Sequence, residues 1–165
     1  MAKLKLSDVK QRVKELHKKQ KFYLDKEDDV FIEYYPKFSE KKINQTLEEL
    51  FITITYCQEN EIDNLNSDDK IMQYLQFLVI KHFTSLKEEL DKKPFDIHFK
   101  TKNELEETGL YRIFLDHMFD PAEVYEVLDR MNDVVKLGTD IANELERNPQ
   151  NENLNNLKVV DKLVN

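Results

Sequence analysis

The sequence predicts a mainly α-helical domain with a small N-terminal β-hairpin, and three observations carry that reading. Two glycines and four prolines in 165 residues leave little material for loops, while Glu, Lys and Leu, all good helix formers, are abundant. Apolar residues recur at spacings of three and four over most of the chain. Between Phe22 and Tyr34 the period drops to two, and after Pro36 it returns to 3.6. At this length one domain with its own core is expected, over 1–147, followed by a flexible tail over 148–165 that is asparagine-rich and weakly apolar.

From the N-terminus, Ser7 is a candidate cap for a first helix with a narrow stripe of Val9, Val13 and Leu16. Phe22 and Leu24, the acidic turn DKEDD, and then Val30, Ile32 and Tyr34 read as a hairpin. A lone hairpin is barely stable in water and needs a cover. The expected cover is the helix that follows Ser39, with the edge strand Val30 to Tyr34 left able to pair with another subunit. Ser39 caps a helix to about Glu59 whose inner face is Ile43, Leu47, Leu50, Phe51 and Ile54. Ser67 caps the next, carrying Ile71, Tyr74, Leu75, Leu78, Phe83, Leu86 and Leu90; the run FLVI, Phe77 to Ile80, is apolar all round and marks the centre of the core.

KKPFDIHFK breaks the pattern at Pro94 and reads as loop or extended chain, with Thr101 and Glu104 as a capping box for a short helix to Thr108. Gly109 is a stop, and LYRIFLDHMF a further apolar segment. Asp120, Pro121 and Glu123 then suit the cap, first and third positions of a last helix. Along it Val124, Leu128, Met131, Val135, Gly138, Ala142 and Leu145 form a heptad-like seam. The predicted core takes in Ile43, Leu47, Leu50, Ile54, Leu75, Leu78, Phe83, Ile113, Leu115, Val124, Leu128 and Met131.

Charge and motifs narrow the function classes. The net charge of -8 argues against nucleic acid as the main partner, since phosphate binding needs clustered cations. It is uneven, with eight Lys or Arg against Asp8 and Glu15 in residues 1–21, a basic arm suited to phosphate or an acidic protein. Cys57 is the only cysteine, which fits a reducing compartment and a small core residue. The first residues MAKLKLSDVK lack the apolar core of a signal peptide, and FLVI is far short of a membrane span of ~20 residues. A soluble, intracellular protein is expected.

No catalytic, cofactor or metal residue emerges. His17, His82, His98 and His117 have no paired ligand spacing. Asp116, His117 and Asp120 read as a helix junction. The acidic loop from Asp25 has Val30 where a calcium loop needs glycine and Pro36 where it needs glutamate. Phosphate-loop, dinucleotide and nucleophile-elbow motifs are absent from the sequence.

The stretches KFYLDKEDDVFIEYYPKFSEKKINQTLEEL, IMQYLQFLVIKHFTSLKEEL and LYRIFLDHMFDPAEVYEVLDRM, in that order, resemble the tail assembly chaperones of long-tailed, siphovirus-type bacteriophages of Gram-positive bacteria. The resemblance implies a non-enzymatic role without cofactor, in the cytoplasm of the bacterial host cell. It implies the tape-measure protein and the tail-tube protein as partners, with self-association possible and no membrane. It transfers no binding residue. The residues themselves suggest the seam, with Val124, Leu128, Met131, Val135 and Leu145 as protein-binding candidates. The alternative is a small intracellular adaptor or regulator that uses its basic N-terminal helix to hold nucleic acid or a protein partner.

Overall fold

In the computed structural model, residues 3–147 are described, and the predicted tail over 148–165 lies outside them. The fold is mainly α, with a two-stranded antiparallel sheet near the N-terminus. Strand β1 (Gln20–Asp25) pairs with β2 (Val30–Tyr34), and the register slips by one residue between Tyr23 and Asp25. The acidic connection is a turn held by its own first residue. The Asp25 carboxylate accepts the Glu27 N–H at 2.8 Å and the Asp28 N–H at 3.3 Å, and Asp29 takes a left-handed φ of 53°.

The hairpin is stable because other parts of the chain cover it. Helix α3 (Asp68–His82) is followed by α4 (Leu86–Leu90), so the single helix expected from Ile71 to Leu90 is interrupted. At the break Thr84 donates its hydroxyl to the Ile80 carbonyl at 2.7 Å and accepts the Leu86 N–H at 3.3 Å, which satisfies both broken helix ends. The released segment joins the hairpin. Tyr35 N–H donates to the Phe83 carbonyl and Ser85 N–H to the Glu33 carbonyl, both at 2.9 Å, with a bridge between Tyr34 and Thr84. The edge expected to serve another subunit is therefore engaged within the chain at its Glu33–Tyr35 end. The apolar side chains also find a different cover. Phe22 meets Phe114 edge-on at 6.3 Å, Tyr34 meets Phe119 at 6.1 Å, and Ile32 enters the core. Phe38, stacked on Phe83 and edge-on to Phe119, closes the junction.

Helix α1 (Leu6–Leu16) starts two residues earlier than Ser7 suggested: Asp8, at the third position, reaches back to the Lys5 N–H at 2.9 Å. Every residue of α1 escapes burial. Helix α2 (Glu40–Glu59) is capped by Ser39, whose hydroxyl accepts the Lys42 N–H, and buries Ile43, Thr46, Leu47, Leu50, Thr53 and Cys57. Ser67 caps α3 in the same way. Tyr74, Leu75, Phe77, Leu78, Val79 and Ile80 of α3 are fully enclosed, as its all-round apolarity requires.

Two further expectations are corrected. The stretch at Pro94 is helical: α5 runs Phe95–Glu107, with Pro94 just ahead of the first turn, where a missing N–H costs nothing. Thr101 is inside that helix, its hydroxyl returned to the Ile97 carbonyl at 2.8 Å, and caps nothing. Ile113, placed in the core by its apolar neighbours, is 37% exposed. Gly109, at a left-handed φ of 76°, starts the short helix α6 (Leu110–Ile113), which passes into a π-turn over Phe114–Met118. The buried line is then Phe114, Met118 and Phe119, and Ile113 falls one position outside it. Leu115, Val124, Leu128, Met131 and Ile54 are half-buried against the core as expected. Helix α7 (Pro121–Arg147) ends the described chain. Among the described residues no helix is long and apolar enough to cross a membrane.

Candidate functional site: a helix face that outruns the core

Helix α7 is 27 residues, about 40 Å of helix, and only its first half lies on the body. Its start is fixed as the sequence suggested at Asp120, whose carboxylate accepts the Ala122 N–H at 3.0 Å. Glu123 does not close a capping box. Its carboxylate instead accepts the Phe38 N–H at 2.8 Å and pairs with Lys37 at 2.9 Å, tying the helix to the exit of the hairpin. About two turns further Arg130 pairs with Glu40 at the start of α2.

The apolar seam is real but differs in register from the predicted one. Val127, absent from the predicted seam, is its most buried residue, and Val124, Leu128 and Met131 flank it against the core. These three candidate binding residues are therefore taken up by the protein's own packing. Val135 is 49% exposed and lies one position off the stripe, which continues instead through Val134, Gly138 and Ile141. At about 100° per residue Val135 still falls within about 20° of Val124 and Leu128, so helical drift does not expose it; the partly covered face turns toward Val134 past Met131, where packing on the core ends. The side chain of Leu145 lies outside the described residues. Leu137, beside the continued stripe, is 58% exposed.

The second notable arrangement is a buried charge cluster under the helices. Glu49 of α2 receives Lys81 Nζ at 2.6 Å, the His82 Nε2–H at 2.5 Å, and faces His98 Nδ1 at 3.5 Å. Lys81, nearly inaccessible, also pairs with Asp91 at 3.0 Å, and Asp91 with Lys87 at 2.7 Å. His98 donates its Nε2–H to the Leu90 carbonyl at 2.7 Å, linking α5 to the end of α4.

Burial alone pushes the Glu49 carboxyl upward, but the bond from His82, the nearby His98 ring and the bond from Lys81 outweigh it and hold the group far below the usual carboxylate range. Burial lowers His82 despite the Glu49 carboxylate, so the imidazole is neutral and donates through Nε2. The Nδ1 atoms of His82 and His98 are buried without a hydrogen-bond partner, as is the Tyr74 hydroxyl, whose pKa burial raises.

The sequence reading treated His82 and His98 as scattered, and the structure brings both to one carboxylate. A signal for this was present. Lys81 and His82 directly follow FLVI in a helix apolar all round, so both had to be buried, and a buried cation demands an anion. His17 and His117 stay exposed, and Asp116 and His117 remain apart from the cluster.

The cluster ties α2, α3, α4 and α5 together. Among the described residues no group of three or more His, Cys, Asp or Glu is arranged to hold a metal ion. A groove of about 310 Å³ between the connector after α2 and α5 is lined by Lys70, Gln73, Lys102 and Glu106. Its cations are already engaged, Lys70 with the Asp63 carbonyl and Asn66, and Lys102 with Glu106. Among the described residues, exposed apolar side chains remain on α1, on the hairpin at Tyr23, Val30 and Phe31, and on the second half of α7 at Val135 and Leu137.

No curated protein and no solved structure matches the chain. A family profile described as YomO matches residues 6–164, which takes in every helix of the fold. The chain belongs to the YomO family, a phage-derived family of Bacillus prophage type.

Proposed function

We propose that this protein is a phage assembly factor that works by binding rather than by catalysis: a tail assembly chaperone that holds helical segments of the tape-measure protein while the tail-tube protein assembles around it, in the cytoplasm of the host cell. The observation that carries the reading is the apolar stripe of α7, which leaves the core after Met131 and continues along Val134, Gly138 and Ile141 with Leu137 beside it. An amphipathic helix face of this kind suits helix-in-groove pairing with a rod-like helical client. The acidic body disfavours self-precipitation at the concentrations an assembly factor needs. Membership of a phage-derived family supports the setting.

Co-expression with the long helical tape-measure candidate of the same phage is the test. A rise in that partner's soluble yield, and a complex that survives gel filtration, is the expected outcome. A partner equally soluble alone, with no complex, sinks the reading.

A second reading has one observation in its favour: α1 is basic and lies bare on the surface. An adaptor gripping nucleic acid through α1 would shift a labelled duplex at low salt and release it at high salt. The chaperone reading expects no such shift.

A further inference from the structure

Among the described residues two amphipathic segments are not enclosed by the core, and they are complementary. On α1 the stripe is Leu6, Val9, Val13 and Leu16, spaced three, four and three, with Leu6, Val9 and Val13 exposed by 69, 42 and 45%. Lys10 and Lys14 border it on one side and Lys5 and Arg12 on the other, while Asp8 and Glu15 lie on the far face. On the projecting half of α7 the stripe is Val134, Leu137, Gly138 and Ile141. Asp133, Asp140 and Glu144 run along one edge of it as a row of carboxylates. Over residues 3–19 there are seven Lys or Arg against two carboxylates, and over α7 seven carboxylates against three Lys or Arg. Apolar therefore faces apolar, and the basic rims of one face the acidic rim of the other.

We infer that α1 of one copy docks on the projecting half of α7 of a second copy, and the reverse, to make a two-fold dimer. The lengths agree: 11 residues of α1 span about 16 Å, and the stripe from Val134 to Ile141 with its acidic edge to Glu144 spans about the same. Gly138, with no side chain, lets a second helix approach closely.

The occupant is a second copy because the chain's own α1 is tethered elsewhere. Only His17 to Lys19 separate α1 from β1, and Lys19 is pinned to Glu33 and Glu88 beside the hairpin. The start of α7 is held at that same end by Lys37, and Ile141 lies twenty residues, about 30 Å, further along the helix. Reciprocity also matters. One seam of this length falls short of the roughly 1,200 Å² at which specific interfaces begin, and a two-fold dimer makes the seam twice.

The second copy and the proposed client would share the α7 stripe and so compete for it, but a dimer broken by a change in α1, which the client does not touch, stands whether or not a tape-measure segment binds. Sedimentation equilibrium of the full chain is expected to show a reversible dimer that weakens as salt rises. Val13→Asp and Ile141→Asp, both away from the core, should each weaken it by at least about tenfold, with the melting temperature of the monomer unchanged. A protein monomeric at all concentrations, or a dimer indifferent to both variants, overturns the inference.

Discussion

Helix α3, apolar nearly all round, is the best-enclosed element of the protein, whereas the second half of α7 carries a single apolar stripe that the core does not enclose. The difference lies in what the neighbouring sequence supplies. Around α3 lie α2, the hairpin, the π-turn and α5, and even the charged end of α3, Lys81 and His82, is matched by Glu49 and Asp91. Past Met131 the described residues give α7 no such enclosure, and its stripe runs through partly buried Val134, Gly138 and Ile141 beside exposed Leu137. An amphipathic pattern therefore states that a face must be covered, without stating by what. Where the chain itself supplies the cover the result is a core, and where the described residues do not, the face is left for the partner proposed above.

The largest test of that contrast is Glu49→Ala. It leaves Lys81 buried with Asp91 alone and removes the acceptor of His82, and breaking a buried pair from one side costs about 3–5 kcal/mol. Urea unfolding reads it directly. A loss below about 1 kcal/mol would mean that the cluster is wetter than its enclosure implies, and that the enclosed region is not held by it.

Next in size is a matched pair of truncations. Leu78→Ala in α3 should cost roughly 2–5 kcal/mol, as a cavity in a packed core does, whereas Leu137→Ala in α7 should stay within about 0.5 kcal/mol. Equal effects at the two sites would erase the distinction between enclosed and projecting stripe. Because both changes remove the same atoms, intrinsic side-chain hydrophobicity cancels.

The cluster also sets a pH dependence. The folded-state pKa of His82 lies below its ordinary 6.5, so the unfolded chain binds the proton first. Its contribution is complete above pH 6.5 and is lost as the pH falls below that value. Glu49, ordinarily at 4.5 and depressed in the fold, adds its own loss below 4.5. Between those two values the slope should be shallower in His82→Leu, measured by the midpoint of urea unfolding at successive pH values. An unchanged slope would show that His82 is protonated in the fold as well.

How much of this was legible before the structure depends on the range of the interactions. The caps at Ser39, Ser67 and Asp120 and the stop at Gly109 act within a turn, and each was readable from local residue types. The hairpin was readable from its period, but not its cover, because Phe114 and Phe119 lie more than eighty residues further along. The break at Thr84 has no local breaker residue: a threonine mid-pattern becomes a junction only because β2 is there to take the Phe83 carbonyl and the Ser85 N–H. Pro94 was read as ending a pattern when it begins one, an ambiguity any proline leaves until the following residues are weighed. The seam on α7 was found and its register missed by one position in its second half, where the core no longer fixes it. The cluster at Glu49 was missed because its members come from positions 49, 81, 82, 91 and 98 on four helices, brought together by packing alone.

The smallest expected change in stability carries the most information about function. Val135 and Leu137 are both exposed on α7, but Leu137 borders the continued stripe and Val135 lies outside it. Replacing either by Asp should alter stability by no more than about 0.5 kcal/mol, since neither is enclosed. Their effects on a bound helix should differ. An aspartate at Leu137 must be desolvated when a partner helix covers the stripe, and a loss of about tenfold in affinity is expected. An aspartate at Val135 stays in water at the rim and should change affinity far less. Isothermal titration of each variant with the same partner helix decides between the two registers. If Val135→Asp proves the more damaging, the strict heptad seam is the true docking line, and α7 must turn on its axis past Met131 when it binds.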